Sequence, residues 1–213
     1  MWRELPHVWQ EAIDLAWAAH GRDCVPIGSV VTGPGGDIIA RGRTRIFEPL
    51  GAHPHLSGTR LAHAEMNALL AFAEVGVEAG DCTLYTTRVP CVMCIGAIRM
   101  HKIPRVRFAA RAPLAGGVAL VGGTPFMEQG FTSIVGPQRD DLEVMLIAML
   151  AEFLIRCYHS PWASLVESMD PTCGVGVRLG RTLAESGTLL RLARRGAPAD
   201  EVIDWLAAEA TSL

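Results

Sequence analysis

Apolar positions recur first with a helical period. Leu5, Val8, Trp9, Ala12, Ile13, Ala16 and Ala19 fall on one stripe, and Gly21 closes the run. This spacing predicts an amphipathic helix. IGSVVT and IIARGR follow, joined by GPGGD, and read as two strands around a glycine-rich turn. The stretch from Ile46 to Arg60, with its prolines, glycines, His53 and His55, reads as a loop. AHAEMNALLAFAEV is a strong helix pattern. Cys82 to Thr87 then predicts a strand, Cys91 to Met100 a helix and Val106 to Ala110 a strand. A glycine-rich connection leads to a short strand at FTSIV. DDLEVMLIAMLAEFLIRC then reads as a long, mostly buried helix. Beyond Pro161 the pattern changes, and helices are predicted from Leu183 to Arg195 and from Asp200 to Ala210.

Strands alternating with helices predict the α/β class, a three-layer α/β/α sandwich around a mixed sheet of about five strands. The predicted domain covers residues 1–159, and residues 160–213 form a helical appendage. Nothing in the 213 residues repeats internally or is of low complexity.

Composition narrows the function classes. Half the residues are hydrophobic and mean hydropathy is +0.27, which suits a packed core rather than disorder. A net charge of -3 gives no global attraction to nucleic acid or anionic membranes. The best apolar run, Val144 to Ala151, falls short of the roughly 20 residues a spanning helix needs. MWRELPHVWQ lacks an apolar signal region, so a cytoplasmic location is expected. There, six cysteines are not expected to form a disulfide framework.

The candidate chemistry lies in LYTTRVPCVMCIGAI, where a strand gives way to a helix. Cys91 and Cys94, spaced C-x-x-C, stand at the helix N-terminus, where free N–H groups and the helix dipole favour thiolate. Pro90 suits helix entry, where an N–H is dispensable. Two thiolates do not complete a zinc site, and a catalytic zinc commonly has three protein ligands and an open position. Among seven histidines, His63 opens the strongest predicted helix and is followed by Glu65. This yields His63, Cys91 and Cys94 as candidate ligands, with Glu65 beside the open position. A redox C-x-x-C leaves His63 and Glu65 unexplained, and a structural zinc site requires a fourth ligand for which there is no second close cysteine pair.

HAE followed by PCVMC resembles the H-x-E…P-C-x-x-C signature of the zinc-dependent nucleobase deaminases. VPIGSVV, HAEMNALL and IPRVRFAAR extend the resemblance to the cytosine, guanine and tRNA-adenosine deaminase group, from about Leu5 to Cys157. The resemblance implies Zn²⁺ as cofactor, Glu65 as the catalytic proton carrier, and replacement of an exocyclic amine by a carbonyl with loss of ammonia. It further implies substrate contacts near Ala64, Thr44, Val89 and Pro90, and a homodimer. Trp162 either stacks on a base or packs the appendage. Two departures matter: Val89 replaces the polar residue common before Pro-Cys, and Thr44 stands near where relatives carry an asparagine.

The leading expectation is a deaminase of a small-molecule amino-heterocycle, a nucleobase, nucleoside or related ring. One alternative is a tRNA adenosine deaminase. Another is a zinc-containing binding module without activity, which the intact Glu65 disfavours. A tRNA enzyme calls for a basic surface, yet residues 158–213 carry seven acids against five arginines and no lysine, so no strong nucleic-acid binding is expected. Arg41, Arg43 and Arg45 form either a solvated face or a phosphate contact. His53 and His55 are exposed loop residues or line the pocket. Cys24, Cys82, Cys157 and Cys173 read as small buried residues. The post-cysteine helix, with Ile95, Ile98 and Met100, is the expected dimer face, and the tail is expected to cover the long helix.

Overall fold

A computed structural model describes residues 1–51, 54–157 and 163–212. Helix α1 (His7–His20) precedes a hairpin of β1 (Gly28–Thr32) and β2 (Ile38–Arg43). Helix α2 (Ala64–Ala73), strand β3 (Thr83–Thr86), helix α3 (Val92–Met100) and strand β4 (Arg105–Phe108) follow. The chain continues through a short helix α4 (Pro125–Glu128), strand β5 (Ser133–Val135) and the long helix α5 (Asp140–Cys157). It ends in α6 (Ala163–Ser186), α7 (Thr188–Arg194) and α8 (Ala199–Ala210).

The sheet has five strands in the order β2-β1-β3-β4-β5. The β2/β1 and β1/β3 pairs are antiparallel, and β3/β4 and β4/β5 are parallel. Each parallel step is made by a helical crossover, α3 or α4. Side chains alternate across the sheet as strand geometry requires. Leu84 on β3 joins Val31, Leu69, Phe72, Ile98 and Val106 in one core. Its neighbour Tyr85 faces the other side and meets Trp9 of α1 edge-on, ring centroids 5.3 Å apart. These two cores make the predicted three layers, with α2 and α3 on one face and α1 and α5 on the other.

Two glycines let the helices approach the sheet. A Cβ on Gly28 would lie 2.0 Å from the carbonyl oxygen of Ala12 in α1. A Cβ on Gly42 would lie 2.2 Å from the Ala68 nitrogen and 2.3 Å from the Ala64 oxygen in α2. The second contact seats the start of α2, and with it His63 and Glu65, directly against the end of β2.

Helix α5 coincides with its predicted segment and is buried almost all round. Its apolar circumference packs into one core with Val166, Met169, Val177 and Leu183 of α6 and Val202, Ile203 and Leu206 of α8. The pattern after Pro161 does not announce α6, whose interior holds Pro171 and three glycines and whose backbone kinks at Cys173 (φ -149, ψ 59). The predicted helix from Leu183 to Arg195 is split by Gly187, which takes a left-handed φ of 65 between α6 and α7. Cys24, Cys82 and Cys173 are buried as expected, whereas Cys157, at the last turn of α5, is exposed. No described helix is long and apolar enough to cross a membrane.

Candidate active site

Helices α2 and α3 aim their N-termini at one point. His63 is the N-cap of α2 (φ -73, ψ 160), and Cys91 is the N-cap of α3 (φ -72, ψ 174). The His63 Nδ1 lies 3.6 Å from the Cys91 Sγ and 3.5 Å from the Cys94 Sγ, and the sulfurs are 3.5 Å apart. This three-residue cluster is arranged to hold a metal ion. A tetrahedral zinc with its usual bond lengths would separate nitrogen and sulfur by about 3.6 Å and the two sulfurs by about 3.8 Å. The donor atoms therefore match zinc to within a few tenths of an ångström, and the soft sulfur–imidazole donor set is one that zinc favours.

The thiols are electrostatically inequivalent. The hydrogen bond with Cys94 pulls the Cys91 thiol down to about 4, aided by His63 and opposed by burial. The same hydrogen bond, together with burial and the nearby Glu65, pushes the Cys94 thiol upward. Without a metal, the pair thus retains a proton that a bound cation must displace. The hydrogen bond with Cys91 raises His63.

Glu65 is buried in the first turn of α2. Thr86 Oγ1, at the end of β3, donates to Glu65 Oε1 at 2.9 Å, and the Cys94 Sγ lies 3.4 Å from Oε2. Burial pushes the Glu65 carboxyl above its ordinary range, against the pull of His63 and of the Thr86 hydroxyl. Asn67, one turn on, binds the preceding loop to the helix. Its Oδ1 accepts from the Leu56 nitrogen at 2.8 Å, and its Nδ2 donates to the carbonyls of Leu56 (3.1 Å), Arg43 (3.2 Å) and His63 (3.3 Å).

A cavity of about 160 Å³ opens over this cluster. His63, Glu65 and Cys91 line it, as do the sequence-predicted Thr44 and Val89. Thr44 is buried and donates its hydroxyl to the Ile27 carbonyl at 3.4 Å. Ala64 and Pro90 are buried but are not among the lining residues; Ala64 packs on Gly42, and the Pro90 carbonyl accepts from the Gly117 nitrogen at 2.8 Å. Trp162 and His53 lie outside the described residues, and His55 is not on the cavity wall.

The arginine trio is engaged elsewhere. Arg41 pairs with Glu11 at 2.7 Å, and Arg43 and Arg45 both pair with Glu48. Three contributors were not singled out in the sequence: Thr86, Arg88, and the apolar wall from α5 and α6, made by Leu150, Leu154 and Leu165. The residues TTR just ahead of VPC carried the signal for the first two.

An open mixed sheet whose two helix N-termini build a histidine–dithiolate site beside a buried carboxylate defines a metal-dependent α/β protein. The chain belongs to the family described as the cytidine and deoxycytidylate deaminase zinc-binding region, which matches residues 3–110. It is similar to the tRNA(Ile)-lysidine synthase of Deinococcus deserti, 36% identical over 110 residues, 51% of this chain and 19% of that protein. It is also similar to the tRNA-specific adenosine deaminase of Streptococcus pyogenes serotype M1, 35% identical over 120 residues, 54% of this chain and 63% of that one. Among solved structures, the guanine deaminase from Nitrosomonas europaea matches with a TM-score of 0.50 and 27% identity, over 67% of this chain and 80% of that one. The chain spans about a fifth of the length of the synthase it matches.

Proposed function

We propose that this protein is a zinc-dependent hydrolytic deaminase of a small amino-heterocycle, with His63, Cys91 and Cys94 as metal ligands and Glu65 as the proton carrier. The observation that carries the reading is the position of Glu65, a buried carboxyl beside the three donor atoms and open to the same cavity. A zinc ion held by these three residues would supply a water whose pKa is lowered to about 7. Glu65 takes one proton of the attacking water and delivers it to the ring nitrogen, then takes the proton of the new hydroxyl and delivers it to the departing amine. The exocyclic C–N bond breaks, a carbonyl forms, and ammonia leaves. A carboxyl raised by burial suits this shuttle, because it holds a proton more readily than an exposed carboxylate does. Thr86 fixes one Glu65 oxygen, which leaves the carboxylate little freedom to swing from the reacting atoms.

Two observations favour a small substrate. The cavity is mostly apolar and is walled by Leu165 of α6 as well as by the sandwich. The nearby Arg41, Arg43 and Arg45 already hold acids of their own, so they offer little free charge to a phosphate backbone. The similarity to tRNA-specific adenosine deaminases supports a second reading, adenosine deamination in tRNA. The deciding experiment is ammonia release by zinc-loaded protein across free bases, nucleosides and amino-substituted pyrimidines, purines, triazines and pterins, beside inosine formation in tRNA. Turnover of a small ring supports the first reading, and inosine formation alone replaces it with the second.

A further inference from the structure

Arg88 is an anomaly in this site. It follows β3 and is only 8% exposed, yet it forms no ion pair among the described residues. Its Nη1 reaches the Met169 thioether of α6 at 3.4 Å, and a thioether is a weak acceptor. Its Nη2 is buried without a hydrogen-bond partner. The surrounding acids are committed elsewhere. Glu143 is held by Arg111 through a bidentate pair, and both Glu65 oxygens have contacts, to Thr86 and to Cys94. Burial lowers the Arg88 guanidinium to about 10, so it remains a cation at neutral pH. A buried, unpaired cation is costly unless something satisfies it, and functional sites are where such costs are tolerated.

Arg88 also faces the cavity. It lines the same wall as Glu65, amid Val25, Ile27, Val89, Leu150 and Leu165. An occupant therefore meets an acid and a cation in one mostly apolar chamber. Accepting this chamber as the substrate pocket of the deaminase reading above, we propose that Arg88 is a substrate-anchoring residue that binds a planar, monoanionic oxygen acceptor on the heterocycle, a carboxylate substituent or an ionised ring oxygen.

Charge and geometry both favour a monoanion. A guanidinium presents parallel N–H groups that match two oxygens, or an oxygen and a ring nitrogen, in one plane. A phosphate dianion calls for more donors than this wall offers, and Glu65 would repel it. The neighbouring Arg41, Arg43, Arg45 and Arg111 each already have an acid partner, whereas Arg88 has none among the described residues. The contact with Met169 makes α6 part of the anchor, since the thioether and Leu165 exclude water from the guanidinium.

The test uses ligands that lack an exocyclic amine, so binding is read without turnover. Calorimetric titration of the zinc-loaded full chain compares pyrimidine-4-carboxylate with pyrimidine-4-carboxamide, and barbiturate with uracil. The first pair tests a carboxylate substituent and the second an ionised ring oxygen. At least one anion should bind about tenfold or more tighter than its neutral partner, and Arg88→Met should cut that preference about tenfold. Affinity of the anions for zinc is common to both proteins and cancels in the comparison. Arg88→Met should melt no lower than wild type, because it removes an unpaired buried charge. Arg88→Lys, which keeps the charge but loses the planar fork, should retain part of the preference. Absence of an anion preference in wild type, or an undiminished preference in Arg88→Met, overturns the anchor. If Arg88→Met melts lower than wild type or does not fold, the wild-type and Arg88→Lys titrations decide, and an anion preference that Arg88→Lys keeps undiminished overturns the anchor. Arg88-dependent anion binding without ammonia release from any amino-heterocycle would overturn the deaminase reading and leave the anchor standing.

Discussion

The Thr86 hydroxyl donates to the Glu65 carboxylate at 2.9 Å, tying the end of the central strand β3 to the first turn of α2. Strand β3 also delivers the chain to Arg88 and then, through Pro90, to the two cysteines. One strand end therefore sets the positions of Glu65, the buried guanidinium and two of the three candidate metal donors.

Thr86→Val keeps the shape of the strand residue and removes the hydrogen bond. Charge-assisted hydrogen bonds contribute about 1.5–3 kcal/mol, so loss of this one should lower kcat roughly tenfold or more while zinc content stays unchanged. Steady-state kinetics with metal analysis checks this. Wild-type kcat in the variant would show that the hydroxyl does not position Glu65.

Zinc binding should release protons. The Cys94 thiol holds its proton in the metal-free protein, because the Cys91 hydrogen bond and burial raise it. A group raised in this way must be deprotonated by the metal, so affinity should increase with pH and weaken on acidification. Indicator-detected proton release in weak buffer, and zinc affinity measured at several pH values, test this. Cys91→Ala should lose most of its zinc; full occupancy there would remove Cys91 from the ligand set.

Helix α6 lies against α5 through glycines. A Cβ on Gly180 would come 2.5 Å from the Ala151 Cβ and 2.8 Å from the Ala148 carbonyl, both in α5. Gly180→Val should therefore destabilise by about 1–3 kcal/mol, seen as a melting temperature several degrees lower. An unchanged melting temperature would mean that the two helices do not pack this closely.

These glycines explain where the sequence was readable and where it was not. The candidate metal donors and Glu65 were legible because C-x-x-C and His-Ala-Glu each place polar groups at a helix start, and α5 because its apolar positions leave no polar face. Helix α6 was hidden because Pro171 and the glycines that let it approach α5 are helix-breaking residues in sequence terms. Arg88 was overlooked because nothing in sequence separates a buried guanidinium from the exposed kind; its burial comes from Met169, more than eighty residues away in the chain.

Helix α3 was expected to present Ile95 and Ile98 to a partner, but both are fully buried against the sheet. The exposed apolar residues on it are Val92 (59%) and Met100 (68%). Arg99 of the same helix donates to the Phe126 carbonyl at 2.7 Å and stacks over its half-exposed ring, extending the apolar surface. A homodimer through this face is expected, so light scattering should give about twice the 22.9 kDa chain mass, and Met100→Glu should shift it toward the monomer. A wild-type monomer at micromolar concentration would reject this interface.

Ammonia release by Glu65→Gln, measured beside its zinc content on the substrate that wild type turns over best, tests the proposed chemistry most directly. The amide preserves the shape of the side chain but cannot carry the proton between water, ring nitrogen and leaving amine. The predicted result is full zinc occupancy with kcat lowered about 10²–10⁴-fold. Turnover near the wild-type rate in the zinc-loaded variant would contradict the account, because the proton would then travel through another group.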